Sequence, residues 1–314
     1  MQKRRPVEIG IEDYADFLPP GRRLPLVSPD STWWFWKNHR VHLSRFRNPD
    51  AAVRLLVVHG AGAHGAALWP VAALLAGGRV DITAVDLPLY GRTVTGSRHT
   101  VVYEDWIALL VDLLTAEDDG RPVVLFGASI GGFLAVQAAA ASHGVAAVIA
   151  TCLLDPRDRG TQAALTRFGS FATPFMPLLS LVRGPVARIP VKISWIADLA
   201  RMGRDPALGR LCARDPRGGG AWLPLGFFAS YLRHPHTQAR TVPLEVHLMH
   251  PELDQWTPKA LSERTLRTLP GPTGSRALRG CGHFPLEEPG LQDLLDGLEE
   301  VLTDAASGQD ATPG

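Results

Sequence analysis

Apolar positions cluster in short unbroken runs at 54–58 (RLLVV), 82–85 (ITAV), 123–126 (VVLF) and 145–154 (VAAVIATCLL). Runs of this length, rich in Val and Ile, predict strands buried on both faces. The stretches between them have another period. In WIALLVDLL (Trp106–Leu114) apolar residues return every three or four positions, which predicts a helix. Strands that alternate with helices imply a parallel sheet covered on both sides. Ahead of these, STWWFWKNHRVHLSRFRN from Ser31 is aromatic and alternating, with Lys37-Asn38-His39 as its turn, and predicts a β-hairpin.

After Asp155 the alternation stops for roughly eighty residues rich in Pro, Gly, Arg and aromatics. It resumes with VPLEVHLM at Val242, a helix start at Thr257-Pro258, a short strand at Arg276–Leu278, and a helix whose apolar residues fall at 291, 294, 295, 298, 301 and 302. The chain therefore divides into an extension (1–30), a first core part (31–155), an inserted cap (156–240), a second core part (241–303) and a flexible tail (304–314).

One junction carries more than packing. VVLFGASIGGFLAVQAAA (Val123–Ala140) turns from strand to helix on Ser129, and Gly127-Ala128-Ser129-Ile130-Gly131 fits G-x-S-x-G in the context of a nucleophile elbow. So tight a turn needs small residues two places before and after the serine, which Gly127 and Gly131 supply. A serine hydroxyl needs a base, and the base an orienting carboxylate. His283, in the loop GCGHFPLEEPG between the last strand and the final helix, is the best-placed base; Asp254, in HPELDQWTP just after a strand, is the candidate acid. Asp155 and Glu252 are rivals for the acid. LLVVHGAGAHG (Leu55–Gly65) ends another strand, and the backbone N–H groups of Ala61 and Ile130 are the candidate oxyanion donors, with His59 and Gly60 shaping that loop. Asp86 and His59 read as structural, Asp86 tying down the turn that follows it.

These stretches resemble the α/β-hydrolase superfamily from about residue 31 to 303, and HGAGAHG, DLPLYGRT (Asp86–Thr93) and GCGHFPLEEP look most like its monoacylglycerol lipase and lysophospholipase branch, also called serine aminopeptidase-like. The resemblance implies an α/β fold with a mostly parallel eight-stranded sheet and a Ser129–Asp254–His283 triad at its carboxyl edge. Two positions depart from the usual pattern: Ala128 replaces a histidine or other bulky residue, and Leu89 replaces a glycine.

Composition narrows the remaining classes. The 32 basic and 31 acidic residues form no sustained block of one sign, so net charge makes no case for nucleic acid or a membrane surface. Three scattered cysteines suggest neither a disulfide framework nor a metal cluster. No apolar run follows the basic N-terminus, and no segment is long enough to span a bilayer, so a cytoplasmic location is expected. The expectation is a serine esterase or lipase with no cofactor and no metal, acting on a small molecule with an apolar acyl or aromatic part. The alternatives are amide, carbon–carbon-bond or peroxidase and lyase chemistry on the same three side chains, and a non-catalytic binding module on the same scaffold. An aminopeptidase would need carboxylates such as Asp198, Asp205 or Asp215 facing the site.

Overall fold

The structure is a computed structural model that describes residues 8–23 and 25–309. In chain order the elements are α1 (Ile11–Ala15), β1 (Asp30–Trp36), β2 (His39–Phe46), β3 (Val53–Val58), α2 (Gly65–Ala73), β4 (Val80–Val85), α3 (Tyr103–Ala116), β5 (Val123–Gly127), α4 (Ile130–Ala140) and β6 (Val145–Ala150). Residues 156–240, the segment expected to form a cap, contribute α5 (Arg159–Ala164), α6 (Met176–Ser180), β7 (Pro190–Lys192), α7 (Ile193–Ile196), α8 (Pro206–Arg214), β8 (Trp222–Pro224) and α9 (Leu225–Arg233). The core resumes with β9 (Glu245–Pro251), α10 (Lys259–Leu266), β10 (Thr273–Leu278) and α11 (Gly290–Gln309).

Eight strands form one sheet in the order β1-β2-β4-β3-β5-β6-β9-β10. The predicted hairpin is β1 and β2, antiparallel, turning at Lys37 with φ 49°; β2 is also antiparallel to β4, and the other neighbours are parallel. Every residue of β3, β4 and β5 is buried, as their unbroken apolar runs require. At the sheet margin, the Arg40 guanidinium lies 4.3 Å above the Trp33 ring and the Lys37 ammonium 4.2 Å above that of Trp36.

Several boundaries differ from the sequence pattern, β10 starting at Thr273 rather than Arg276 among them. β6 stops at Ala150 instead of continuing to Leu154, because the chain leaves the sheet at Thr151, whose hydroxyl accepts the Ser129 N–H (2.9 Å). β9 starts at Glu245, three residues after Val242. The expected tail from 304 is helical as far as Gln309, with Ala305 and Ala306 packed on the core; residues 310–314 lie outside the described residues, as do 1–7 of the extension.

Asp155 closes the cap at its base. Its carboxylate accepts from the Arg157 guanidinium (3.0 and 3.1 Å) and from Arg240 (2.5 Å), so residues from both ends of the insertion meet on one side chain. The cap also concentrates charge: residues 156–240 hold 13 of the 32 Lys and Arg but 4 of the 31 Asp and Glu. Phe171, Phe175, Leu178 and Leu181 face outward on it. No helix among the described residues is long and apolar enough to cross a membrane.

Candidate active site

Ser129 follows β5 in a backbone conformation of φ 54° and ψ −128°, a region that residues with a Cβ avoid. The surroundings enforce it. A Cβ on Gly127 would lie 2.3 Å from the Gly131 carbonyl oxygen, and one on Gly131 would lie 2.6 Å from those of Val58 and His59. With both absent, α4 starts directly against β5 and β3, and the serine side chain is lifted off the sheet's carboxyl edge.

The other predicted residues arrive at the same edge from separate loops. Asp254 follows β9 and His283 follows β10. The Ser129 hydroxyl lies 3.0 Å from His283 Nε2, and His283 Nδ1 donates to Asp254 Oδ2 at 2.8 Å. Asp254 is itself fixed: Oδ1 accepts the N–H groups of Trp256 (2.7 Å) and Thr257 (2.9 Å), and Oδ2 accepts the Thr257 hydroxyl (2.6 Å). Burial alone would raise the Asp254 pKa, but His283 and these donors hold it well below the usual carboxylate range. Burial opposes a charge on His283 most strongly, yet the Asp254 carboxylate and, after it, the neighbouring Cys152 together outweigh it and raise the imidazole's pKa. The Trp256 ring packs against that imidazole, with centroids 4.8 Å apart.

The rival acids are engaged elsewhere. Asp155 is held by its two arginines, and Glu252 accepts the Gly280 N–H (2.8 Å). Glu287 braces the base's loop, accepting the N–H of Gly282 (3.1 Å) and of Arg204 (2.9 Å). Thr257 and Thr151 were not singled out by sequence reasoning. The first follows from an Asp-x-x-Thr spacing, in which an aspartate commonly collects N–H groups two and three residues on; nothing local marks the second.

Behind the serine lies the loop after β3. A Cβ on Gly60 would lie 2.8 Å from both the Ala128 carbonyl oxygen and the Ser129 Cβ, so the two loops touch here. Among the described residues, the Ala61 and Ile130 N–H groups donate to no protein acceptor. His59 is completely buried: Nδ1–H donates to the Gly60 carbonyl (2.8 Å) and Nε2 accepts the Leu87 N–H (3.1 Å). Burial lowers its pKa to about 4, so the ring stays neutral with one tautomer. Asp86 accepts from Gly65 N–H, Arg92 N–H and His42 Nδ1–H, which ties the next loop down. In that loop Leu89 takes φ 83°, the conformation that a glycine adopts without strain.

Two apolar cavities meet at this loop. One is lined by Ser129, His283, Phe126, Leu68 and Leu294; the other runs between Ala61, Ile130, Met176, Phe227 and Tyr231, under the segment 156–240. The cap carboxylates do not face them. Asp198 pairs with Arg201 (3.0 Å), Asp205 caps α8, and Asp215 is buried against Tyr14 and His64.

The profile of the alpha/beta hydrolase family matches residues 55–292. Among solved structures, a soluble variant of monoglyceride lipase from Saccharomyces cerevisiae, in complex with a substrate analog, superposes with a TM-score of 0.71 at 15% identity, covering 90% of this chain and 97% of that one. Paleococcus ferrophilus monoacylglycerol lipase gives 0.65 at 19% identity over 84% and 98%. The N-acyl homoserine lactonase AidH, complexed with N-butanoyl homoserine, gives 0.61 at 15% identity over 88% and 97%. Comparison by sequence with curated proteins finds no match. At these identities the likeness is one of fold.

Proposed function

Because the chain belongs to the α/β-hydrolase family, we propose that it is a serine hydrolase that cleaves a carboxylic ester through an acyl-enzyme. The observation that carries this reading is the continuous hydrogen-bonded chain from Ser129 through His283 to Asp254, set beside two unengaged backbone N–H groups. Ser129 Oγ attacks the ester carbonyl as its proton passes to His283 Nε2. Asp254 holds the ring and stabilises the imidazolium, and the N–H groups of Ala61 and Ile130 receive the negative oxygen. His283 then protonates the departing alkoxide, and a water molecule, activated by the same imidazole, releases the acid and restores the serine.

The cavities on either side of the oxyanion loop support apolar groups on the substrate, because their walls offer few polar partners. Outward-facing Phe175 and Leu178 flank Met176 and Leu179, which line the cap cavity, so α6 is apolar towards both substrate and solvent. This favours a lipase-like ester over an aminoacyl substrate, whose amine would need a carboxylate that the cap acids, all engaged, do not offer.

Ser129→Ala is expected to lose several orders of magnitude in turnover while keeping its fold, since a hydrolase without its nucleophile retains only a residual rate. A fluorophosphonate should label the parent protein at Ser129, located by mass spectrometry, and p-nitrophenyl esters of increasing chain length should be cleaved in preference to aminoacyl amides. Near-parental esterase activity in Ser129→Ala would overturn the assignment. Folded parent protein that neither labels nor turns over would favour the binding-module reading.

A further inference from the structure

The loop after β3 is held at both ends by buried histidines. His59, at its start, is fixed by backbone groups alone; His64, at its end, has a different partner. His64 Nε2–H donates to Asp215 Oδ2 at 2.7 Å, and the Tyr14 hydroxyl donates to the same oxygen at 2.8 Å. These three side chains come from positions far apart in the chain: Tyr14 from the N-terminal extension, His64 from the core and Asp215 from the cap. Tyr14 and Asp215 are fully buried and His64 is 1% exposed. The carboxylate's other oxygen accepts the Arg217 N–H (2.9 Å), so both of its oxygens are engaged.

The same cap turn presses on the middle of the loop. Gly62 has φ 84°, and a Cβ on Gly218 would lie 2.7 Å from the Gly62 carbonyl oxygen. The Arg217 carbonyl accepts the Gly91 N–H (3.0 Å), while its guanidinium reaches back to Glu8 (2.8 Å) and the Ile9 carbonyl (2.5 Å). The Ala61 N–H thus sits between two anchors, and the second depends on residues from the extension and the cap.

We propose that Tyr14, Asp215 and His64 are positioning residues that lock the loop 60–64, so that the N-terminal extension sets the aim of the Ala61 N–H. The proposal rests on the reading of that N–H as an oxyanion donor. An oxyanion hole works because its donors are already oriented, and misplacement weakens binding of the charged state more than of the neutral substrate. The clamp therefore acts on the transition state.

Tyr14→Phe tests this, since it deletes one hydroxyl and keeps the ring. It is expected to lower kcat by about tenfold, the order of one lost hydrogen bond to a charged group, with KM within about twofold. Affinity for an alkyl trifluoromethyl ketone, whose serine adduct carries the oxyanion, should fall by a similar factor, while that for the matching trifluoromethyl carbinol, which cannot form the adduct, should not change. Amide exchange in residues 60–65 should quicken. Asp215→Asn, combined with Tyr14→Phe, should cost less than the two separate losses together, because both act through one contact. Unchanged ketone affinity with unchanged exchange would overturn the clamp, and so would equal losses for ketone and carbinol. The exchange measurement needs no turnover, so it reads the clamp even if Ser129 proves not to be the nucleophile.

Discussion

In the proposed mechanism His283 must be neutral to take the serine proton, and the carboxylate 2.8 Å from its Nδ1 favours the charged ring. The base is therefore lost as pH falls through a pKa that Asp254 has raised. kcat/KM should show an acid limb, and Asp254→Asn, by removing the negative charge, should move that limb to lower pH while cutting kcat about 10⁴-fold through the wrong tautomer. A pH–rate series on both proteins checks it; a limb at the same pH in the variant would show that the carboxylate does not govern the base. At this scale the sequence was most readable where a residue type has few local uses. A serine between two glycines at a strand end, and a histidine in a glycine loop before the last helix, stand out without any structure. Tyr14 and His64 did not, and Asp215 was considered only as a carboxylate for an amine, because none carries a local signature of their contact, which spans 201 residues between Tyr14 and Asp215.

Among elements, the buried strands were legible because continuous apolar runs leave few other options, whereas their ends were set by partners in space. β6 ends where Thr151 turns to meet the Ser129 N–H, and no periodicity encodes that. The junction between cap and core was equally hidden. Asp155 looked available as an acid until Arg157 and Arg240 were seen to occupy it. Burial would raise its pKa, but the arginines hold it below the usual carboxylate range. Its contribution to stability is thus fully present above the unfolded carboxyl pKa of about 3.9 and fades as pH falls through the lower folded value. Asp155→Asn should cost about 1–3 kcal/mol at neutral pH, between the worth of exposed and buried pairs. Denaturant melts should show that deficit shrinking below about pH 4, and a deficit independent of pH would mean the ion pairs contribute nothing.

For the whole molecule, near-equal totals of acid and base conceal a separation. The cap is strongly basic, the rest of the chain correspondingly acidic, and the cap roofs the larger cavity. Its field should draw anionic substrates toward the entrance. An ester bearing a distal carboxylate should lose kcat/KM severalfold as salt rises from about 0.01 M to about 0.15 M, where the screening length shrinks from about 30 Å to about 8 Å, while a neutral ester of equal size should not. Identical salt responses would show that the asymmetry does not reach the site. The sequence held these charges in plain view; the fold places the segment that carries them over a cavity.

β1 borders the sheet, where among the described residues no further strand pairs with it, and it carries the exposed rings of Trp33 and Phe35, the sort of margin on which a second chain could add itself as a further strand. The Arg40 guanidinium lying over the exposed Trp33 ring changes what an approaching strand would meet. To stack on that ring it would have to strip water from the guanidinium and break its attraction to the indole. A charge supplied by the hairpin's own second strand therefore adds a desolvation cost to pairing along this border.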